Sequence, residues 1–429
     1  MMFIFNLAFL IFSPFTSLFY SLRRKRGHFN KWFVVLFIVV FGSNMIKYEL
    51  ADSARYIWRL ENYYVNMDLA RFFDEFWGII SFSPLSGSYA EDPFILIVSY
   101  LFGSVLNIPG MFYPFISFIY GFFFVSSLEI ILSKTSTIKL GFWSKILFWI
   151  SIVILLSWKN LEGINTVRTW TGMWVLIYGF LKYLSSKKIK YVLLILLTTQ
   201  IHFAYYVMSL PIILYLVIGR IKVIYFGFFI LSIIIQYSGV AVFGNTLGGT
   251  DLSDEKLETY SVEERGDVDE ETKYSGESRT WYKLLYANGL QNNVTNVLIL
   301  FIILNFNVIM ENKNRLILDL FFSGVLMKSL ANSTILLTAL SNRSNIIAGV
   351  LIFSSLVLLI GSASLNKNTN KFFFKLLLGV LFLFFIPLIT YKLAELLYWL
   401  QFGLFIFPFY YWLFPEDNIS LRELIGKFI

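Results

Sequence analysis

The chain has 429 residues and a formal net charge of +8; 57% of the residues are apolar, 19% aromatic and only 14% charged. This composition, with a mean hydropathy of +0.70, excludes an ordinary soluble domain and is typical of a polytopic membrane protein. The absence of cysteine excludes disulfides, thiol nucleophiles and Cys-ligated zinc, and two histidines offer little to a transition metal. We therefore expect no cofactor, no metal site beyond a carboxylate-bound hard cation, and no nucleic-acid partner, because Lys and Arg are scattered between apolar segments.

Apolar runs predict an all-α fold, a single polytopic domain over residues 1–429 with about thirteen membrane crossings. The first run, 3–20, precedes the basic stretch "SLRRKRGHFNKW", which predicts a spanning helix with its N-terminus outside. The other predicted spans cover 33–48, 110–132, 142–157, 169–184, 190–201, 203–218, 223–240, 291–310, 316–337, 346–362, 372–390 and 393–414. The positive-inside rule assigns to the cytoplasm the basic connections 23–31, 134–145, 182–190, 220–222, 313–315 and 367–375.

Two segments depart from simple crossings. Residues 93–108, "PFILIVSYLFGSVLNI", begin with proline and precede Pro109, and a full crossing here would reverse every later connection. We therefore predict a re-entrant or interfacial helix, whose broken ends need protein or water around them. A break near 199–203 in the run "LLILLTTQIHFAYYVMSLPIILY" would place His202 near the outer surface, at the floor of a polar cavity.

Two predicted outer segments are long. The first, 49–92, contains "LENYYVNMDLARFFDEFWGIISF", in which apolar residues fall largely on one helical face, so we predict a helix lying in the membrane interface. The second, 241–290, carries eleven acids against three bases between Asp251 and Glu277. Such a composition is typical of a solvated loop, and a cover over an active site is the alternative.

Polar residues gather at the predicted outer ends of the spans. The stretches that carry them are "YELADSARYIWRLENYY" (Asp52, Arg55, Tyr56, Arg59), "SYAEDPFIL" (Glu91, Asp92), "NLEGINTVRTWTGMW" (Asn165, Arg168) and "ALSNRSNIIAGV" (Asn342, Arg343, Asn345). Because a charge that borders the apolar slab is costly, an outward cavity that holds Asp, Arg and His is a functional hypothesis.

Each residue also has a purely structural interpretation. Arg168 and Arg343 would snorkel to lipid headgroups, as basic residues at span ends often do. Asp52 would cap a helix or pair with Arg55, and the two acids before Pro93 would sit at a favourable helix N-terminus. His202 would be a packing histidine, bonded to Gln200 or to a tyrosine.

The functional interpretation starts from the guanidinium groups. An Arg offers a bidentate fork that suits a diphosphate, and the candidates are Arg168, Arg343 and Arg55. For a general base we favour His202, with Asp52 or Glu91 as rivals. The predicted sugar-binding residues are Tyr56, Trp170, Tyr205 and Asn165. This set suggests glycosyl transfer between lipid-linked substrates without nucleotide or metal.

Five stretches in order carry a resemblance to a known family: "DSARYIWRLENYY", "EDPFILIVSYLFG", "NTVRTWTGMWVLIYGFLKYL", "QIHFAYYVMSLPIILY" and "SNRSNIIAGVLIF". Over residues 1–365 the chain resembles the EpsG-like, Wzy-type polymerases of O-antigen and exopolysaccharide repeat units. It departs from the family at "DSARY", where members typically have Asp-Tyr with further spaced tyrosines, and at Arg168-Thr169, where they often have Arg-Gln.

The resemblance implies a multi-pass protein of the bacterial inner membrane with its active site facing outward. It implies transfer of a growing glycan from undecaprenyl diphosphate to the non-reducing end of an incoming lipid-linked unit. Arg168 and Arg343 would hold the donor diphosphate. Lipid-linked oligosaccharides, membrane lipid and a chain-length regulator are the expected partners. An O-antigen ligase, another lipid-linked-sugar glycosyltransferase, a membrane O-acetyltransferase and a lipid-linked oligosaccharide flippase are the alternatives.

Overall fold

The computed structural model describes residues 2–22, 30–45, 52–83, 85, 88–89, 92–135, 140–238, 281–287, 289–310, 314–335, 337–362, 370–405, 408 and 420–426. Apart from one isolated bridge between Gln401 and Ser420, the regular structure in these ranges is helical. Glu91 and most of the acidic segment 241–290 lie outside the described residues.

Chain contacts divide the protein into two compact units that interleave along the sequence. Unit 1 comprises Met1–Ser133, Asn160–Tyr206 and Leu393–Ile429, and unit 2 comprises Lys134–Lys159 and Val207–Lys392. Two of the four boundaries fall within helices, Tyr205–Met208 and Ile386–Trp399. Each unit therefore joins segments that are distant in sequence, although the sequence predicts a single polytopic domain.

The helices of unit 1 are α1 Met2–Phe12, α2 Pro14–Leu22, α3 Lys31–Ser43, α4 Asp52–Arg59, α5 Leu69–Ile80, α6 Pro93–Tyr100, α7 Phe112–Leu132, α9 Arg168–Ser186, α10 Lys190–Ile201 and α21 Leu421–Gly426. Those of unit 2 are α8 Phe142–Trp158, α12 Leu210–Ile218, α13 Lys222–Ser238, α14 Trp281–Ala287, α15 Leu290–Leu304, α16 Phe306–Met310, α17 Arg315–Ser333, α18 Thr338–Gly361 and α19 Asn370–Leu383. The helices at the boundaries are α11 Tyr205–Met208 and α20 Ile386–Trp399. Short π-helices, Leu60–Tyr64 and Leu101–Val105, extend α4 and α6.

Long apolar helices confirm the membrane-protein character of the chain. Among the described residues, four helices are long and apolar enough to cross a membrane: Pro109–Leu132, Phe142–Ile164, Arg315–Ser333 and Thr338–Gly361. A fifth is added if the pair Phe373–Leu383 and Ile386–Trp399, bent by 46°, counts as one span. Further apolar helices of 10–17 residues are Lys31–Ser43, Pro93–Val105, Lys190–Ile201, Tyr205–Ile218, Lys222–Gln236 and Leu290–Leu304. Thirteen crossings, and the re-entrant path of residues 93–108, stay predictions.

The first apolar run corrects the sequence-based prediction. Instead of one helix over 3–20, the chain forms α1 and α2, which pack against each other. Asn6 Nδ2 donates to Ser21 Oγ at 2.7 Å, and Ser17 Oγ donates to Asn6 Oδ1 at 2.7 Å. In a straight helix Asn6 and Ser21 would lie roughly 22 Å apart along the axis. The break at Pro14 lets these buried polar groups bond to each other, which an apolar surrounding requires.

The predicted interfacial helix forms as two helices with a turn between them. Asp68 caps α5, its carboxylate accepting the N–H of Arg71 at 2.7 Å. On α5, Phe73 and Trp77 point outward and are exposed, whereas Glu75 is buried. This pattern of exposed aromatic rings and a buried acid is the reverse of that of a helix facing water. It suits a helix at the apolar edge of a lipid surface.

The centre of unit 2 is the pair α17 and α18, since 83% and 94% of their apolar windows are buried inside the protein. Glycines permit this close packing. A Cβ at Gly324 would lie 2.8 Å from Cγ1 of Ile352, and one at Gly349 would lie 2.2 Å from Cε2 of Trp158. Small residues at helix contacts let backbones approach in this way, so these two helices contact protein more than lipid.

Gly349→Ala should therefore destabilise the protein, because the new Cβ overlaps the fully buried indole of Trp158. Overpacking of this kind costs about 1–3 kcal/mol, read as a lower Tm of the purified protein in mild detergent. The matched control is Gly227→Ala on α13, where a Cβ would meet no atom within 4 Å. Since alanine favours a helix over glycine, the control should keep or raise the Tm, and equal Tm values for the two variants would contradict the packing described.

Candidate functional site

The start of α9 is a strained turn. Val167 has φ 46° and ψ −68°, and the N–H of Arg168 donates to the carbonyl of Thr166 at 2.5 Å, which together make a γ-turn with positive φ. A β-branched residue rarely adopts this conformation, and such strain is concentrated at functional sites. Arg168 is the first residue of α9, as the sequence predicts from "NTVRTW".

A buried ion pair holds Arg168. Its Nη1 donates to Oδ2 of Asp92, and the two side chains are 15% and 2% exposed. Asp92 precedes α6, yet its carboxylate makes no capping bond to that helix. Its other oxygen, Oδ1, accepts the N–H of Phe203 at 2.6 Å. One carboxylate therefore joins the starts of α6 and α9 to the break after α10.

The break after α10 contains His202 and confirms the interruption predicted near 199–203. α10 ends at Ile201, and His202 is extended, with φ −156° and ψ 130°. The imidazole is 4% exposed, and its Nδ1 accepts the N–H of Ala204 at 3.2 Å. Because an acceptor nitrogen carries no proton, a neutral His202 in this arrangement has its proton on Nε2.

Two of the predicted sugar-binding residues, Tyr205 and Trp170, are buried among the helices near this break. Tyr205 is fully buried, and its hydroxyl donates to the carbonyl of Thr169 at 2.5 Å. Its ring lies against Gly172, where a Cβ would come within 2.5 Å of Cε2. Trp170 is also buried. Tyr205 therefore packs on α9 and bonds to its backbone, and the stacking of Tyr205 and Trp170 on sugar rings stays a prediction.

The start of α4 is tied to the same region. The N–H of Ser53 donates to Oδ1 of Asn165 at 3.1 Å. Next to it, Asp52 is 44% exposed and pairs with Arg55 at 3.2 Å. Tyr56 is buried and stacks on Phe112 with ring centroids 6.1 Å apart. Asp52 therefore has a solvent-accessible carboxylate. Its neighbour Ser53 contacts the segment that leads into α9.

The predicted site residues thus fall into three groups. Asp92 links Arg168 to the segment that holds His202, and Asn165 contacts the start of α4, where Asp52 and Arg55 lie. Arg343 is half-buried on α18 and belongs to unit 2. The structure gives no place to Glu91, which lies outside the described ranges.

Two buried acids have no role among the predicted site residues. Asp92 is named with Glu91 among the outer polar residues, but only Glu91 is predicted as a rival base, although it is Asp92, at the step Asp92-Pro93, that links three segments. Glu162, six residues before Arg168, is buried in the 3₁₀ turn Leu161–Ile164. The signal for Glu162 is that it is the single acid in the connection 158–168 between two predicted spans.

A second polar cluster lies in unit 1 around Glu75. Its carboxylate accepts bonds from the hydroxyl of Tyr63, from Nε of Arg71 at 3.3 Å and from Oγ of Ser88 at 2.9 Å. Burial, and then the bond to Glu75, raise the pKa of the Tyr63 hydroxyl above its ordinary value. Tyr63 therefore remains a donor, and the cluster fixes α5 to the preceding turn.

Among the described residues, no group of three or more His, Asp or Glu side chains is arranged to hold a metal ion. No family model, curated protein or solved structure matches the chain.

The ion pair predicts a specific pattern of stability. Asp92→Asn keeps an acceptor for Phe203 N–H but leaves the guanidinium of Arg168 without its carboxylate, which should cost about 3 kcal/mol. Adding Arg168→Met removes the uncompensated charge, so the double variant should recover most of the loss. Thermal unfolding of the purified variants measures both effects.

The matched control for this cycle is Asp52→Asn, which breaks the exposed pair with Arg55 and should cost less than about 1 kcal/mol. A double variant at 92 and 168 that is less stable than either single variant would contradict the ion pair.

Proposed function

We propose that the protein polymerises lipid-linked oligosaccharide repeat units. It would transfer the growing glycan from undecaprenyl diphosphate to the non-reducing end of an incoming lipid-linked unit, at the outer face of the bacterial inner membrane. The bond between the anomeric carbon and the phosphate oxygen breaks, a new bond to the acceptor hydroxyl oxygen forms, and the hydroxyl proton passes to a base. The diphosphate leaves with the electrons of the broken bond.

The observation that carries the proposal is the contact of Asp92 with both Arg168 and the backbone beside His202. Two of the motifs that resemble the polymerase family are held by one buried carboxylate, at a place with backbone strain. An Arg fixed in this way is oriented before substrate arrives, which favours stabilisation of charge that develops on a leaving diphosphate. In this proposal Arg168 is the diphosphate-binding residue of unit 1.

The hydrogen bond at His202 Nδ1 refines the role of this residue. In the arrangement described, Nε2 carries the proton and is a donor, so His202 would hydrogen-bond an oxygen of the diphosphate. Asp52, exposed at the start of α4, would then accept the hydroxyl proton. If His202 is instead the base, Nδ1 must release Ala204 so that the tautomer can change.

The pH profile of the reaction separates these two roles. A base must be unprotonated, so a His202 base makes the rate fall toward acid pH as the imidazole takes up a proton. A hydrogen-bond donor works in both protonation states of the imidazole, so a donor role for His202 predicts no fall of the rate through this protonation.

The polymerase proposal predicts the glycan pattern of a deletion strain. Without the gene, the ladder of surface glycan should collapse to a single repeat unit on its acceptor, and restoration of the gene should return it. Loss of all glycan would point to unit assembly, flipping or ligation, and a full-length ladder that lacks a substituent would point to a modifying transferase. Either result contradicts the proposal.

Variants then test the residues in the restored strain. His202→Ala should abolish chain extension, whereas His28→Ala, at the other histidine of the chain, should leave the ladder unchanged. The pair of Asp92→Asn with Arg168→Met gives a sharper test. If Arg168 has only a structural role, the double variant recovers both stability and ladder, but if Arg168 binds diphosphate, it recovers stability alone.

A further inference from the structure

A lysine is buried in the core of unit 2. Lys328, on α17, is 1% exposed, and its Nζ donates to Oδ1 of Asn345 at 2.7 Å. Asn345 Nδ2 in turn donates to Oδ1 of Asn292. Within the described parts of the chain, no carboxylate forms an ion pair with Lys328. An amine at this depth is either neutral, or charged with an anion beside it.

A second set of hydrogen bonds lies one helical turn further along. Asn332 Nδ2 donates to Oδ1 of Asn296 at 3.1 Å and to Oγ of Ser232 at 3.3 Å. Asn296 Nδ2 donates to Oε1 of Gln236 at 3.3 Å. The i, i+4 spacing from Lys328 to Asn332 puts both sets on one face of α17. We call the side chains of Asn332, Asn296, Gln236, Asn292 and Asn345 the amide cluster.

The amide cluster lies near one end of four helices. Its members come from the last turns of α13 and α17 and from about the first two turns of α15 and α18. Lys328 is five residues before the end of α17, about 8 Å along its axis. The basic connections 313–315 and 367–375 lead into the opposite ends, so the positive-inside rule assigns this end to the outer side.

An apolar groove of about 520 Å³ borders this cluster. Its walls come from α12, α13 and α17, with side chains such as Leu214, Phe228 and Leu330, and its polar residues include Ser232 and Ser329. Ser232 accepts the bond from Asn332, so the groove meets the amide cluster at this serine. The groove therefore combines room for an alkyl or isoprenoid chain with one wall that contacts the amide cluster.

We propose that unit 2 binds an amphiphile whose phosphate-type oxyanion is held by Lys328 and the amide cluster and whose apolar chain occupies the groove. An oxyanion supplies the negative charge that a protonated Lys328 lacks, and the asparagine amides can donate further bonds. Because Lys328 is enclosed in the structure described, binding turns its flexible side chain from Asn345 toward Ser232. The proposal depends on unit 2 alone and does not require the polymerase function.

The test measures binding to the purified full-length protein in nanodiscs of uncharged lipid, by the shift of Tm on titration. Decyl phosphate is the probe, decanol supplies the same chain without charge, and inorganic phosphate supplies the charge without a chain. We expect a saturable rise of Tm with decyl phosphate and none with decanol. If inorganic phosphate binds as tightly as decyl phosphate, the anion site is supported, but its ligand is free phosphate. The proposal that the groove binds an apolar chain is then overturned.

Lys328→Met removes the charge and keeps the length of the side chain. Since a neutral side chain suits an apolar core, the variant should fold with an unchanged or higher Tm and bind decyl phosphate at least tenfold more weakly. The matched control is Lys392→Met, at another buried lysine of unit 2, which packs on the rings of Tyr286 and Tyr391. The control should bind within twofold of the unaltered protein.

The groove gives a second, independent variant. Leu214→Trp, at a partly exposed wall position, should fill the groove and weaken decyl phosphate binding tenfold without unfolding the protein. Binding by Lys328→Met that equals the unaltered protein, or equal stabilisation by decanol and decyl phosphate, overturns the anion site. If the glycan-ladder prediction for the deletion strain fails while decyl phosphate binding is intact, only the polymerase proposal is contradicted.

Discussion

The ion pair between Asp92 and Arg168 is the contact on which the polar region of unit 1 depends. Two charges removed from water are stable only if each is matched in charge and hydrogen bonding, and removal of one partner leaves the other uncompensated. Asp92 meets this requirement by accepting from Arg168 and from the backbone of Phe203. Three segments from separate parts of the sequence must therefore be correctly placed at once, which gives the region one defined arrangement.

Strain and irregular helices surround this ion pair. Val167 adopts a positive φ directly before Arg168, and α4 and α6 both continue as π-helices that pack on each other at Tyr64 and Gly103. Such features persist only where neighbouring contacts over-determine them. Near Val167, the fully buried Tyr205 donates to the carbonyl of Thr169 and packs on Gly172, so this aromatic residue holds the first turns of α9.

Local sequence patterns predicted where helices begin and end better than they predicted which segments contact each other. The polar residues Gln200 and His202 inside an apolar run indicated the break after α10, and Asn165 followed by Arg168 indicated the start of α9. The choice between Glu91 and Asp92 depends on how the chain enters α6, which no local pattern gives. The hairpin of α1 and α2 depends on pairing of Asn6 with Ser17 and Ser21, a tertiary contact that a hydropathy window cannot detect.

Lys328 shows a different limit of sequence reasoning. A hydropathy average over α17 absorbs a single charge among many apolar residues, so the segment still scores as a span. The polar residues at the span ends are the ones that sequence patterns mark as candidates, although a charge inside a span costs more free energy. Its partners, Asn345 and Asn292, come from two other helices, and only the fold shows that they meet.

The interleaving of the two units has a consequence for biosynthesis. The ring of Phe15 in α2 stacks on that of Phe405 at 4.2 Å, so a contact of unit 1 joins nearly the two ends of the chain. At 5–20 residues per second, synthesis of the intervening chain takes roughly 20–80 s. During that time the first helices enter the bilayer without their final neighbour, and lipid or the insertion machinery must cover the surface that Phe405 later occupies.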